Sequence, residues 1–166
     1  MKQNLTTLQE ATKHKDGTYV SLELDAASQG LLDHFVEMNL SLDERIDPST
    51  YHITIIYSRT PVPRAEVLKG VADVYADAIG YEVFPTKDGN KCLVLRVASK
   101  AAEQLNSYLG TLGATSDYDD YKAHITICYD YKGPEDVNSL PVPQFALHFD
   151  RLNVAPLDPL FTPANK

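Results

Sequence analysis

Hydrophobic and polar positions alternate through TYVSLEL, with Val20, Leu22 and Leu24 on one side and Tyr19, Ser21 and Glu23 on the other. A period of two among strand-forming residues predicts a half-buried β-strand there. The period then changes: in DAASQGLLDHFVEMNLS, Leu31, Leu32, Phe35, Val36 and Leu40 recur at helical spacing behind Asp25 or Ser28 as N-cap, which predicts a helix. His34 falls inside this helix, where an exposed or structural position is expected. The turn-like IDPST precedes a strand at YHITIIYS, which the two prolines of RTPVPR end. Val67, Leu68, Val71, Val74 and Tyr75 recur every three or four residues and predict a second helix over 64–78. YEVFPT and KCLVLRVA flank KDGN, where Asp88-Gly89 signals a hairpin. SKAAEQLNSYLG reads as a helix with Ser99 as cap and Gly110 as stop, and strands at HITICY and within QFALHFDRLNVAPL complete the chain. This order predicts an α+β fold, with a mixed or mainly antiparallel sheet and helices packed outside it.

At 166 residues the chain has room for a single domain with a proper core, here expected to span 1–166 behind a polar leader at 1–16. The hydrophobic share of 43% and the charged share of 23% describe a globular chain. No apolar run approaches the length needed to span a bilayer and the first residues are polar, so neither a membrane segment nor a signal peptide is expected and a cytoplasmic setting follows. Cys92 and Cys128 sit in apolar runs, as buried thiols do, and predict neither a disulfide nor a zinc site. The net charge of -8 argues against a grip on long nucleic acid, which calls for a basic face. Any phosphate handled here belongs to a small molecule, with Arg59, Arg64, Lys122 and Lys132 as local cations near the strands that matter most.

Those strands carry a repeat. HITIIY, from His52, returns as HITICY, from His124, with five of six positions identical. In a strand, His52 and Thr54 share one face while Ile53, Ile55 and Tyr57 take the other; His124 and Thr126 likewise oppose Ile125, Ile127 and Tyr129. Each copy presents an imidazole and a hydroxyl together, about 6–7 Å apart along the backbone. Set side by side, the two copies line one cleft with the groups that phosphodiester cleavage requires: a base, an acid, and donors for the phosphoryl oxygens. Histidine suits both proton roles because its ordinary pKa of about 6.5 allows one ring to be neutral while its twin is charged.

With its paired His52-Ile53-Thr54 and His124-Ile125-Thr126 motifs, the chain resembles the two-histidine phosphoesterases over about 18–157. Within them it looks most like the phage anti-CBASS nucleases, on the strength of GTYVSLEL, YHITIIYSRTPVP and NVAPLD. The resemblance implies a bilobed fold with a central cleft. It also implies cleavage, without metal or other cofactor, of cyclic di- and trinucleotides such as 3'3'-cGAMP to linear products, which blocks host immune signalling. His52, Thr54, His124 and Thr126 would be catalytic. Tyr19, and less directly Phe84, would stack on bases, and Asn153 stands where a carboxylate would read a base edge. The partner implied is a cyclic oligonucleotide substrate, inside the bacterial host. Competing readings are an enzyme acting on RNA ends or 2',3'-cyclic phosphates, a non-catalytic sponge for the messenger, and a phage structural component with a vestigial site. His14 and His148 are expected to have no part in the site, and the acidic SDYDDY is expected to form a solvated turn, since it lacks calcium-loop spacing.

Overall fold

In this computed structural model residues 14–158 are described; most of the polar leader lies outside them. The elements are β1 (Thr18–Leu24), α1 (Ala26–Asn39), β2 (His52–Ser58), β3 (Gly70–Pro85), β4 (Lys91–Ala98), α2 (Lys100–Thr111), β5 (His124–Cys128) and β6 (Leu147–Pro156), with short 3-10 turns at Pro48–Thr50 and Pro63–Leu68. The strands follow the order β1-β2-β5-β4-β3-β6 and close on themselves. Every pairing among them is antiparallel.

The helix predicted over 64–78 is absent. A 3-10 turn takes Pro63–Leu68, and from Gly70 the chain runs as a strand through Pro85. Val71 and Tyr75, which supplied the helical spacing, are 96% and 61% exposed, whereas the buried Val74 and Ala76 alternate with exposed neighbours at period two. The small alanines that face inward carry too little hydrophobic weight for a pattern reading to find. β3 pairs with β6 through Ala76 and with β4 from Asp77, so one long strand serves both halves of the sheet.

The other helices start where predicted. Asp25 caps α1 by accepting from the Ser28 N–H at 2.7 Å, and the Ser99 hydroxyl accepts from the Ala102 N–H at 3.2 Å at the head of α2. α2 runs past Gly110 to Thr111, and the left-handed glycine that follows it is Gly113, at φ 104°. The core joins Val20, Leu22, Ile53, Ile125, Ile127, Leu93, Leu95 and Phe149 of the strands to Leu32, Val36 and Leu109 of the helices. Each such side chain contributes about 1.5–3 kcal/mol on burial.

Candidate active site

Ile53 of β2 pairs directly with Ile125 of β5, the single register pair that joins these two strands. Both side chains are fully buried. Their antiparallel register sets His52 level with Thr126 and Thr54 level with His124, all four on the face away from the core. Directly opposed residues have Cβ atoms about 4.5–5.5 Å apart. The sheet therefore brings together the two motifs that the sequence places 72 residues apart.

The two imidazoles are held by the same device. His52 Nδ1 donates to the Thr50 carbonyl at 2.7 Å, and His124 Nδ1 donates to the Lys122 carbonyl at 2.7 Å. A carbonyl only accepts, so each Nδ1 carries a proton, and in the neutral ring Nε2 is then the basic nitrogen. Burial holds the His52 pKa below that of an ordinary imidazole, with the nearby His124 charge acting the same way against the Thr50 hydrogen bond and Glu23. His52 is thus neutral near pH 7.

Around this pair β1 contributes Tyr19, whose hydroxyl lies 3.0 Å from Thr54 Oγ1 and whose ring meets His52 and Tyr57 edge-on at centroid distances of 6.5 and 6.3 Å. Tyr57 is a correction. Val20 pairs with Ile56 and Ser21 with Thr54, which leaves Ile55 as an extra residue in β2. That bulge inverts the alternation, so Tyr57 stands opposite Tyr19 on the cleft face and not beside Ile53.

A cavity of about 490 Å³ opens beside the histidines. Thr54, Tyr57 and His124 line its inner end, Glu82, Phe84 and Pro85 one wall, and the 116–122 segment the other. Phe84 meets the His124 ring edge-on at 5.1 Å. His52, Thr126 and Tyr19 lie in the adjoining seam, and Asn153, opposite Ser21 on β6, stands apart from the cavity lining. The acidic turn is exposed, as expected, but it is also a wall of the cavity. It is fastened down: Arg59 makes a forked pair with Asp117 at 3.1–3.2 Å, Ser58 Oγ accepts from the Thr115 N–H at 3.0 Å, and the half-buried Tyr121 donates its hydroxyl to the Thr54 carbonyl at 2.9 Å. Of the four cations expected near the motifs, Arg59 and Lys122 reach this region, whereas Lys132 pairs with Asp130 at 3.6 Å and Arg64 is exposed. Arg96 went unforeseen, although an arginine inside the apolar KCLVLRVA was the visible signal.

The remaining histidines serve the frame. His14 is fully buried, its ring spanning Thr18 Oγ1 at 2.9 Å and Glu66 Oε1 at 2.7 Å. His148 bridges Asp25 and Asp73 at 2.6 and 2.7 Å, and His34 is exposed on α1.

The comparison with known proteins decides the family. The model of the anti-CBASS protein Acb1 matches residues 16–162. This chain belongs to the Acb1 family. Its relatives include the Acb1 proteins of Vibrio phage KVP40, 32% identical over 69% of this chain and 73% of the relative, and of Enterobacteria phage T4, 34% identical over 68% and 72%. The Acb1 of Salmonella phage S16 is 32% identical over 75% of this chain and 78% of its own. Among solved structures, E. coli LigT complexed with NADP+ superposes with TM-score 0.53 at 12% identity, covering 82% and 85% of the two chains. TT0787 of Thermus thermophilus does so with TM-score 0.50 at 12% identity, over 83% of each. This Acb1 chain is a phage anti-CBASS protein with the two-histidine phosphoesterase fold. Among its described residues, no helix is long and apolar enough to cross a membrane.

Proposed function

We propose that the protein is a metal-independent phosphodiesterase that opens the 3'-5' bonds of cyclic di- and trinucleotide messengers, 3'3'-cGAMP among them, to give linear products. The observation that carries this reading is the Ile53–Ile125 pair, which makes one site of two identically clamped histidines and their threonines. His52, kept neutral by burial, takes the proton of a ribose 2'-OH as that oxygen attacks the adjacent phosphorus in line. His124, protonated, gives its Nε2 proton to the departing 5' oxygen. Thr54 and Thr126 donate to the non-bridging oxygens, where negative charge accumulates. The P–O5' bond breaks as the P–O2' bond forms, leaving a 2',3'-cyclic phosphate that water can open. Each requirement of the displacement is met by a side chain, so the chemistry calls for no metal.

Around the reacting bond, Phe84 offers an aromatic ring beside His124, Tyr19 orients Thr54 and edges onto His52, and Asn153 stands further along the sheet, opposite Ser21. Incubation of the purified protein with 3'3'-cGAMP in excess EDTA, next to His124→Ala, tests the reading by chromatography of the products. Linear product from the wild type alone supports it. Intact cyclic ligand recovered from a protein that binds it would make the protein a sponge.

A further inference from the structure

Arg96 lies on β4 directly across from His124 and shares its face. The position opposite on β3 is Gly80, where an added Cβ would meet nothing within 4 Å. One guanidinium nitrogen, Nη1, reaches Glu82 Oε1 at 3.2 Å, while Nε is buried without a hydrogen-bond partner. Lys122 Nζ stands 3.7 Å from the other oxygen of the same carboxylate. One glutamate, on the cavity wall, thus holds two cations beside a catalytic histidine, and one of them keeps an unspent donor. A buried donor left unmade is costly, and a planar guanidinium suits a phosphate better than any other side chain.

We propose that Arg96 and Lys122 form a second phosphate seat, which takes the phosphodiester of the cyclic substrate that is not being cleaved. The inference rests on the reading above and extends it: a cyclic dinucleotide carries two phosphates, and the histidine–threonine groups engage one. Glu82 is the internal counter-ion of this seat, holding the cations in place and yielding Arg96 and Lys122 to the incoming anion. The seat is built next to His124 because the Lys122 carbonyl also fixes that ring, so one residue sets both the acid and the cation. A ligand with two phosphates at a fixed separation is registered at both seats, and a linear chain with one phosphate at only the catalytic one.

The test compares kcat/KM for 3'3'-cGAMP with that for the linear dinucleotide ApA, which has one phosphodiester and the required 2'-OH. Arg96→Gln is expected to lower kcat/KM on the cyclic substrate about ten- to a hundred-fold more than on ApA, mostly through KM. Arg96→Lys should recover part of that loss. Glu82→Gln should lower KM for 3'3'-cGAMP, because the seat loses its competitor, an effect a merely structural ion pair would not produce. Equal losses on both substrates in Arg96→Gln and Arg96→Lys, or a raised KM in Glu82→Gln, would overturn the second seat while the phosphodiesterase reading stands. A wild type that cleaves neither substrate would remove that reading and the seat with it.

Discussion

The Tyr19 hydroxyl and Thr54 Oγ1 lie 3.0 Å apart, across the β1–β2 ladder. In the proposed mechanism Thr54 is one of the two hydroxyls directed at the phosphate, and the phenol holds its rotation. Burial raises the Tyr19 pKa, so the phenol stays protonated throughout the working range. Tyr19→Phe keeps the ring against His52 and Tyr57 and removes only this bond. Its kcat should fall about ten-fold with little change in KM, in line with about 1.5 kcal/mol for a hydrogen bond whose loss disorders a catalytic donor. Steady-state kinetics on the cyclic dinucleotide would show it, and a rise in KM alone would make Tyr19 a base-stacking residue.

With His52 as the proposed base, this residue sets the acid limb of the pH profile. Its pKa lies below the usual 6.5 because burial disfavours the imidazolium, so it stays a competent base to a lower pH than free imidazole would. kcat/KM should therefore decline with acid only below that value, in a bell whose limbs belong to the coupled histidines. Glu23 pairs across the strands with His52 and favours its charged form. Glu23→Gln should move the acid limb further down, and an upward movement would contradict the assignment.

Outside the cavity lining, His148 lies between the carboxylates of Asp25 and Asp73 and against the Tyr75 ring at 4.5 Å. The Asp25 hydrogen bond, then that of Asp73, raises its pKa above the ordinary value. A folded-state pKa above the unfolded one means that the folded chain binds the proton more tightly. The stabilisation is complete below the unfolded pKa of about 6.5 and disappears as pH rises through the folded value. Thermal unfolding followed from pH 6 to pH 9 should show a fall in Tm that is larger in the wild type than in His148→Gln.

Gly17 tests the frame beneath the site. It has φ 127°, and a Cβ there would meet the Ser58 carbonyl oxygen at 2.1 Å. Its own carbonyl accepts from the Leu157 N–H at 3.1 Å, tying the start of β1 to the end of β6. Gly17→Ala should cost about 3 kcal/mol, from backbone strain and the clash together, visible as a lower denaturant midpoint with little change in slope.

How far the sequence reveals this molecule depends on the range over which each feature is set. The two histidine motifs stand out because a hexapeptide repeat is local and needs no knowledge of neighbours. That the repeats meet was inferable only from their chemistry; the Ile53–Ile125 pair is a property of the sheet. β3 carries a helix-like pattern because Val71 and Tyr75, which are exposed, supply its spacing while small alanines do the packing. Tyr57 changed faces through a bulge that is defined by Val20 and Ser21 on another strand, information absent from its own hexapeptide. His14 gave no sign of burial, because its partner Glu66 follows 52 residues later. Arg96 was visible as a charge in an apolar strand, yet only the register beside His124 gives that charge a use.

The narrowness of the β2–β5 seam has a consequence for the folding pathway. Each strand supplies one imidazole, and a single residue pair sets their register, so under the proposed mechanism neither half of the polypeptide holds a partial catalyst that could work alone. Partly folded species in which β2 and β5 have not yet paired should be inert, and the recovery of turnover during refolding should lag behind the recovery of helical signal. On that mechanism, the onset of activity reports that the ring of strands has closed.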